Sequence, residues 1–515
     1  MGAHAMSNEF KKNLIEDAAQ AAVLVVGAGI MGAGIAQVAA QAGHPVSLYD
    51  VRHGAAQDAL TKLQTSLAAL VAKGKMPADA VADLLARITP VADLQDAARS
   101  TLVVEAIVEN TEAKRALWQQ LEGIVGADCV LASNTSSISI TAMAQGLRHP
   151  ERLVGMHFFN PVPLMKLVEV VSGLHTAPQV ADGVFALAQR WGKVAVHARS
   201  TPGFIVNRIA RPYYAEALAL LHERSTTPVV LDACLKAIGF RMGPCELMDL
   251  IGHDTNFAVT QSVYQANFFD KRYMPSLLQR ELVDGGLLGR KSGRGMYDYA
   301  EGAAKPQLAA PQTAEFPALS GVQLHGNSAR MDAWGQLLAA AGVAFSRDLQ
   351  SDWTGLATPT LQLRQTDGRP ASSLGANVAV FDMAFAPEGS RVLAWAPSVR
   401  ASAACADEAQ AWLGALGYQA QQVADQPALV VARTVAMLIN EAADAVQQGV
   451  CTMDGANQAM KLGVNYPAGP FDWLAAWSAH GVIAVLQALD TYYAGERYRV
   501  SPWLRQQAWG QLGGA

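Results

Sequence analysis

A histidine and a glutamate, His157 and Glu169, are the two side chains whose types and spacing best suit chemistry. His157 opens the run His-Phe-Phe-Asn-Pro, and Glu169 stands in the strand-like run that follows. The stretch centred on Pro163 is too rich in proline to pair, so a hairpin around it makes residues 157 and 169 partners on adjacent antiparallel strands. A carboxylate that fixes the tautomer and orientation of an imidazole creates a general acid–base unit. The alternative is a structural pair, which is the commoner case for such a pair taken alone.

A glycine-rich loop precedes this hairpin and predicts the fold that positions it. Residues 23–29 (Val-Leu-Val-Val-Gly-Ala-Gly) form a buried strand that leads into a helical pattern. Gly27 permits the tight turn, Gly29 lets the backbone approach a pyrophosphate, and Gly32 allows close packing of helix on strand. The phosphates would lie at a helix N-terminus, where free N–H groups favour anions. The sequence therefore predicts a Rossmann-type dinucleotide-binding domain.

Asp50 ends the second predicted strand, residues 46–50, and indicates which dinucleotide binds. A carboxylate at this position accepts hydrogen bonds from the ribose hydroxyls and repels a 2′-phosphate, which favours NAD over NADP. Arg52 lies close by in sequence and argues in the other direction.

Five more strand-like runs complete a doubly wound sheet: Thr101–Ile107, Cys129–Ser133, Val154–Phe158, Leu167–Val171 and Val194–Ala198. Between the second strand and these runs, residues 54–90 form a pair of Ala/Leu-rich helices. Its Ser66 and Lys73, with Lys62 and Lys75, are candidates to contact a phosphate-bearing ligand. A solvated helix face is an equally good interpretation of these residues.

The run Ser133-Asn134-Thr135-Ser136-Ser137 stands at the carboxyl end of a predicted strand. Ligands bind at such ends in open α/β sheets. The run is either a turn that caps a helix or a loop that contacts substrate, and the sequence favours neither.

Taken together, these motifs resemble those of the L-3-hydroxyacyl-CoA dehydrogenases, including the 3-hydroxybutyryl-CoA dehydrogenases. The resemblance covers about residues 20–300 and rests on motifs that occur in the same order. Besides the segments above, they are residues 105–110 (Glu-Ala-Ile-Val-Glu-Asn), 201–208 (Thr-Pro-Gly-Phe-Ile-Val-Asn-Arg) and 242–249 (Met-Gly-Pro-Cys-Glu-Leu-Met-Asp). The full length resembles the long bacterial form of the family, which serves phenylacetate breakdown and handles 3-hydroxyadipyl-CoA.

The resemblance implies an oxidoreductase of fatty acid metabolism and β-oxidation that converts (S)-3-hydroxyacyl-CoA to 3-oxoacyl-CoA with hydride transfer to NAD. His157 would be the general base, oriented by Glu169. Ser136 and Asn207 would hydrogen-bond the developing carbonyl. The remaining positions that resemble cofactor contacts are Glu109, Lys114, Asn134, Asn160 and Lys291.

Beyond Pro202 the pattern becomes helical, with predicted helices at Phe204–Arg224, Pro228–Ile238, Glu246–Ala266 and Pro275–Asp284. Arg211 lies one helical turn after Asn207. It is a candidate to pair with a carboxylate at the far end of an acyl chain, and a surface ion pair is the more ordinary interpretation.

The second half repeats the helical domain. Residues 427–433 (Pro-Ala-Leu-Val-Val-Ala-Arg) match residues 202–208 (Pro-Gly-Phe-Ile-Val-Asn-Arg), with Ala432 in place of Asn207. Residues 319–425 alternate strand-like and helical runs without a glycine motif or a His-x-x-Asn-Pro run. We therefore expect one active site per chain and interpret 319–425 as a degenerate, reduced Rossmann-like domain.

The expected organisation is a chain of the α/β class built as two α/β–helical pairs. The predicted domains are an NAD-binding domain (20–200), a helical substrate and dimerisation-type domain (201–300), a linker (301–318), the degenerate α/β domain (319–425) and a second helical domain (426–512). A fused second copy can cover the apolar face through which shorter members of the family dimerise. An intrachain pseudo-dimer is expected, and a homodimer stays an open alternative.

Composition limits the other classes of function. The net charge of −5 offers no general attraction to nucleic acid, and no apolar run reaches the length of a membrane span. Five scattered cysteines without CxxC spacing argue for the cytoplasm and against a metal site. The N-terminal Met1–Met6 lacks the features of a secretory signal.

Two other functions compete with this interpretation. One is an NAD-dependent dehydrogenase of a free β-hydroxy acid, against which the hairpin and the helical insertion at 54–90 argue. The other is a non-catalytic NAD-binding protein, which does not account for the intact His157, Glu169, Ser136 and Asn207.

Overall fold

The structure, a computed structural model, describes residues 21–304, 306–308, 310, 315–317, 320–385 and 391–512. The N-terminal stretch and part of the predicted linker lie outside the described residues. Contacts between Cα atoms divide the chain into two compact units. The first runs to Arg208 and also includes Gln448–Val464. The second contains Ile209–Gln447 and the residues from Asn465 onward.

The first unit is built on an eight-stranded sheet in the order β3-β2-β1-β4-β5-β6-β7-β8. All neighbouring strands are parallel except β6 and β7, which are antiparallel. Four of these eight strands are buried along their whole length, as expected for a sheet covered on both faces. The strands are β1 (Val23–Val26), β2 (Val46–Tyr49), β3 (Ile88–Val91), β4 (Leu102–Glu105), β5 (Val130–Ser133), β6 (Leu153–Phe158), β7 (Leu167–Ser172) and β8 (Val194–Arg199).

Six helices accompany this sheet, and each buries apolar side chains. They are α1 (Ile30–Gln41), α2 (Ala55–Ala72), α3 (Ala78–Ala86), α4 (Thr111–Glu122), α5 (Ile140–Met143) and α6 (Pro178–Arg190). The edge strand β3 was not predicted, because the helical interpretation extended to residue 90. Only Ile88 is fully buried in it, and Pro90 cannot donate to a ladder, so its sequence carries little strand signal.

The first helical domain contains α7 (Val206–Ile209), α8 (Arg211–His222), α9 (Pro228–Ala237), α10 (Pro244–Ile251), α11 (His253–Ala266) and α12 (Leu277–Asp284). Two of the predicted helices are each divided in two. The first break falls at Ala210, two residues before Pro212, which has no N–H to continue the helical ladder. The second falls at Gly252, whose φ of 97° is incompatible with a helix.

The second unit also contains a mixed seven-stranded sheet in the order β10-β9-β11-β12-β13-β14-β15. Its strands are β9 (Val322–His325), β10 (Phe345–Asp348), β11 (Gly355–Ala357), β12 (Gln362–Gln365), β13 (Val378–Phe381), β14 (Val392–Pro397) and β15 (Gln419–Gln422). It is accompanied by α13 (Ala329–Ala340), α14 (Ala371–Leu374) and α15 (Ala403–Ala415).

The last five helices are α16 (Val431–Gln447), α17 (Met453–Gly463), α18 (Pro470–Trp477), α19 (Ala479–Tyr493) and α20 (Pro502–Leu512). The predicted fold class is confirmed, with a Rossmann-type sheet, helical domains and a second α/β sheet. The predicted domain boundaries remain predictions. In the structure, α17 packs on β7 and β8 of the first sheet although it follows α16 in sequence.

Candidate active site

The turn between β1 and α1 has the three glycines that a dinucleotide loop requires. Gly27 adopts a φ of 105°, and a Cβ there would lie 2.5 Å from the carbonyl oxygen of Ala106. A Cβ on Gly32 would lie 1.7 Å from the carbonyl oxygen of Gly27, so helix and loop touch only without a side chain. Gly29 faces open space, with no atom within 4 Å of its Cβ position. This surface is shaped for the backbone to meet a pyrophosphate.

Asp50 lies just beyond the end of β2, next to this loop. Its Oδ2 accepts a hydrogen bond from the N–H of Ala28 at 2.8 Å, and its Oδ1 accepts one from Nε of Arg52 at 3.0 Å. The hydrogen bond from Arg52 lowers the pKa of Asp50 to about 2. The Arg52 side chain is 71% exposed. A permanently ionised carboxylate at this position suits the ribose hydroxyls of NAD.

A buried lysine links two glutamates at the carboxyl end of β4. Lys114 is 1% exposed, and its Nζ lies 2.5 Å from Oε1 of Glu105 and 3.2 Å from Oε2 of Glu109. Glu105 also accepts the hydroxyl of Ser133 at 2.6 Å. Because Lys114 and Glu105 are both buried, these two charges require one another. Glu105 was missed as a site residue, and its signal was an acidic residue inside an otherwise apolar strand.

Glu109 organises the loop that carries Ser136. A single oxygen, Oε1, accepts the hydroxyl of Thr135 at 2.6 Å, the N–H groups of Ser136 and Ser137 at 3.0 and 3.1 Å, and the hydroxyl of Ser136 at 3.3 Å. Burial raises the pKa of Glu109, but the charge of Lys114 and these donors outweigh it and hold the pKa below its usual value. The ionised Glu109 therefore fixes the loop.

His157 and Glu169 are direct partners on β6 and β7, in the predicted register. Nδ1 of His157 lies 2.6 Å from Oε2 of Glu169, and both residues are buried. The second oxygen of Glu169 accepts the N–H groups of Ile205 and Val206, each at 3.0 Å. With Nδ1 committed to Glu169, Nε2 is the nitrogen that can take up a proton.

Three asparagines surround the pair. Asn134 accepts the N–H of Phe158 at 2.8 Å through Oδ1 and so ties the loop to β6. Asn207 donates from Nδ2 to the carbonyl oxygen of Ser136 at 3.4 Å, which brings the two candidate carbonyl-binding residues together. Asn160 is exposed at the end of β6.

Lys193 binds the turn between β6 and β7. This contact was not predicted from the sequence. This lysine is 8% exposed, and its Nζ donates to the carbonyl oxygens of Val162 and Met165 at 2.5 and 2.8 Å. Burial lowers its pKa. The turn that sets the His157–Glu169 register is thus anchored by a cation.

The remaining candidates lie elsewhere. Ser66 and Lys73 are exposed at the C-terminal half of α2 and its cap, and the Ser66 hydroxyl donates to the carbonyl oxygen of Lys62 at 3.0 Å. Lys291 belongs to the second unit, where its Nζ lies 2.5 Å from Oδ1 of Asp254.

Arg211 also belongs to the second unit and is 6% exposed. It lines a cavity of about 190 Å³ and donates to the hydroxyl of Thr260 at 3.1 Å. Its guanidinium lies 5.0 Å from the ring centre of Tyr214, and burial lowers its pKa. The interpretation as a surface ion pair is wrong, because the side chain is buried. Other residues lining this cavity are His222, Glu223, Gln279 and Arg497.

The second copy retains the frame of the site without its chemistry. Asp382, after β13, accepts the N–H groups of Val430 and Val431 at 2.9 and 2.7 Å, as Glu169 accepts those at the start of α7. Ala432 stands where the first copy has Asn207. Asp382 and Ala394 lie opposite each other at the β13–β14 pair, as His157 and Glu169 do on β6 and β7, so the carboxylate that anchors α16 stands at the position of the histidine and not of the glutamate.

Comparison with known proteins identifies this arrangement. The family model for the NAD binding domain of 3-hydroxyacyl-CoA dehydrogenase matches residues 22–201, and the model for the C-terminal domain of that enzyme matches 203–299 and again 429–515. The chain belongs to the 3-hydroxyacyl-CoA dehydrogenase family. A model of the reduced Rossmann-fold domain of 3-hydroxybutyryl-CoA dehydrogenase matches residues 363–427 of this dehydrogenase.

Relatives of this dehydrogenase match its whole length or its first half. A 3-hydroxyadipyl-CoA dehydrogenase of Escherichia coli is 42% identical over 94% of this chain and 97% of its own length. A probable 3-hydroxybutyryl-CoA dehydrogenase of Bacillus subtilis is 43% identical over 54% of this chain and 97% of its own. A crystal structure of 3-hydroxybutyryl-CoA dehydrogenase from Escherichia coli superposes with a TM-score of 0.87 at 40% identity, covering 96% of this chain and 99% of the other.

The predicted oxidoreductase activity and its NAD cofactor are thereby confirmed: the chain is an NAD-dependent 3-hydroxyacyl-CoA dehydrogenase. No helix among the described residues is long and apolar enough to cross a membrane. In the same part of the chain, no group of three or more His, Cys, Asp or Glu side chains is placed to hold a metal ion.

Proposed function

We propose that His157 is the general base that removes the 3-hydroxyl proton of an (S)-3-hydroxyacyl-CoA. The observation that carries this proposal is the 2.6 Å contact between Nδ1 of His157 and the buried Glu169. That contact leaves Nε2 to accept the proton and keeps a negative charge beside the imidazolium that forms. Ser136 and Asn207, which meet at 3.4 Å, supply hydrogen-bond donors to the oxygen of the developing carbonyl.

NAD, when bound, accepts the hydride that leaves C3 of the substrate. The residues that fit it are Gly27, Gly29 and Gly32 at the phosphates and Asp50 at the ribose. Glu109, Lys114, Asn134, Asn160 and Lys291 remain proposed contacts. For Lys114, which is 1% exposed, the contact runs through Glu109, whose position it fixes.

The experiment that tests this function is NADH oxidation with acetoacetyl-CoA, run beside NADPH and beside free acetoacetate. Fast turnover with NADH and acetoacetyl-CoA, but not with NADPH or with free acetoacetate, supports the proposed dehydrogenase chemistry, the role of Asp50 and a thioester substrate. Equal turnover of free acetoacetate would instead favour a dehydrogenase of free β-hydroxy acids.

We further propose that the natural substrate is a dicarboxylic thioester of the 3-hydroxyadipyl-CoA class, which would place the enzyme in phenylacetate breakdown, with 3-hydroxybutyryl-CoA as the alternative. A relative that matches 94% of the chain is named for 3-hydroxyadipyl-CoA. The buried Arg211, in its cavity of about 190 Å³, offers a cation to a distal carboxylate.

Arg211→Leu tests this assignment. It should spare turnover of acetoacetyl-CoA and lower kcat/KM for 3-hydroxyadipyl-CoA about 10- to 100-fold, as the loss of a buried ionic hydrogen bond does. Arg211→Lys keeps the charge and should lose less. Equal losses on both substrates would refute the assignment.

Ser66 and Lys73 are proposed to meet the phosphate-bearing part of coenzyme A. Both are exposed on one helix, and a lysine there can reach an anion without a desolvation penalty. For assembly we propose an intrachain pseudo-dimer of the two helical domains, in which α8 packs against α16. A monomer in sedimentation analysis fits this proposal, and an obligate homodimer would contradict it. As for localisation, we propose the cytoplasm.

A further inference from the structure

The two repeats exchange equivalent contacts. Pro427 follows Pro202 by 225 residues, and the same interval relates two backbone hydrogen bonds. The N–H of Arg199 donates to the carbonyl oxygen of Val450 at 2.9 Å in the first unit. In the second unit, the N–H of Ala424 donates to the carbonyl oxygen of Ser225 at 2.9 Å. Each α/β half therefore donates a backbone hydrogen bond to a residue that belongs, in sequence, to the helical copy of the other repeat.

In the first unit this residue, Val450, lies in the segment Gln448–Val464, which ends with α17. Gln448 is the first residue of the segment. Its side-chain oxygen accepts a hydrogen bond from Nη1 of Arg208 at 2.8 Å, and its backbone carbonyl oxygen accepts one from Nη1 of Arg199 at 3.2 Å. Arg208 directly follows Asn207 and lies in α7. The segment thus contacts α7, the short helix at whose start two backbone N–H groups donate to Glu169.

At its other end the segment touches the surroundings of the catalytic pair through Gly463. A methyl group there would lie 2.6 Å from Cδ2 of Leu167, 3.1 Å from Cγ2 of Val206 and 3.7 Å from Cε1 of Phe159. The N–H of Val206 donates to Glu169, and Leu167 precedes Glu169 by two residues on β7. The ring of Phe159 lies 4.5 Å from that of His157.

We propose that Gly463 and Gln448 of the second repeat are positioning residues for the His157–Glu169 pair of the first. The proposal rests on the proposed function, in which that pair performs the proton transfer. The second copy, which lacks the catalytic residues, would then influence the turnover rate of the first, because it packs against the residues that surround His157 and Glu169.

The test is a matched pair of substitutions on α17 in the full-length chain. Gly463→Ala should lower kcat for acetoacetyl-CoA reduction about tenfold, with the KM values for NADH and acetoacetyl-CoA within about twofold of the wild type, as for a displaced catalytic group. Gly455→Ala makes the same change on the same helix, where the nearest atom to the new Cβ is Oγ1 of Thr452 at 3.1 Å. It should leave kcat unchanged.

Two further variants keep the test decisive. Gly463→Ala combined with Leu167→Ala removes the overlap and should recover most of kcat. Gln448→Leu, at an exposed position, should lower kcat without unfolding the protein. Unchanged kcat in both Gly463→Ala and Gln448→Leu would overturn the proposal. Full activity in His157→Gln would instead refute the proposed function on which it rests.

Discussion

Glu169 uses its two oxygens for different partners: Oε2 holds Nδ1 of His157 at 2.6 Å, and Oε1 holds the start of α7 through two backbone N–H groups. Glu169→Gln cannot serve both, since its amide nitrogen can accept from neither. We expect kcat to fall about 10²-fold, in the range of a lost acid–base contribution. NADH affinity, measured by fluorescence titration, should not change. A kcat within twofold of the wild type would contradict the assigned role.

We expect the pairing of Asp50 with Arg52 to govern the choice between NAD and NADP. Because the pKa of Asp50 is lowered to about 2, below its unfolded value of ~3.9, the pair is intact at neutral pH and is lost only as the pH falls towards 2. Asp50→Ser should free Arg52 for a 2′-phosphate and raise the NADPH/NADH ratio of kcat/KM about 10- to 100-fold. The doubly substituted Asp50→Ser/Arg52→Ser should show little of this gain. The wild-type ratio should be constant between about pH 7 and pH 8, where Asp50 and the 2′-phosphate, with a second pKa of about 6, are both ionised.

Lys73 is expected to act on coenzyme A and not on the acyl group. Lys73→Ala should raise KM for acetoacetyl-CoA about 1.5- to fivefold, which is the scale of an exposed ion pair. Acetoacetyl-pantetheine, which lacks the nucleotide phosphates, serves as the control and should show no change. A similar rise for both thioesters would place the ligand phosphate elsewhere.

The buried Lys193 offers a test of the hairpin anchor. Lys193→Met removes two hydrogen bonds and leaves two turn carbonyls without a donor, which should lower stability by about 1–3 kcal/mol and reduce kcat. Lys166→Met, at an exposed lysine nearby, is the matched control. Equal thermal unfolding temperatures for the two variants would rule out the anchoring role.

A buried charge cluster joins the two helical copies within the second unit. Glu216 of the first copy lies 2.7 Å from Nε of Arg433 and 2.8 Å from Nη2 of Arg497, both from the second copy. Glu216→Gln removes the carboxylate paired with Arg497 and leaves Arg433 with only the more distant Glu223, at 3.7 Å, as a counter-charge, which should cost about 3 kcal/mol. The exposed Glu281→Gln is the control. If urea unfolding shows the same midpoint for both variants, the cluster does not support the pseudo-dimer.

Local sequence was sufficient to predict the glycine loop and the register of His157 with Glu169. Both depend on short segments whose strand, turn and glycine signals lie within a few residues of one another. Lys193 and the packing of α17 on the first sheet could not be predicted in this way. Each contact joins segments that are distant in the chain, and no periodic pattern states which carbonyl a lysine reaches or which sheet a helix covers. The strand β3 was missed because one buried isoleucine and a proline give almost no pattern.

The exchanged contacts have a consequence for how the two halves can change. Arg208 and Arg433 are equivalent residues of the two repeats, and each faces the position at the end of the other repeat's long helix. That position is Gln448 opposite Arg208 and Glu223 opposite Arg433. In a symmetric pair of identical chains, the positions of Gln448 and Glu223 would be the same residue of the sequence. An amide opposite Arg208 would then also replace the carboxylate opposite Arg433. Fusion into a single polypeptide removes that constraint, and each half adapts to its own task.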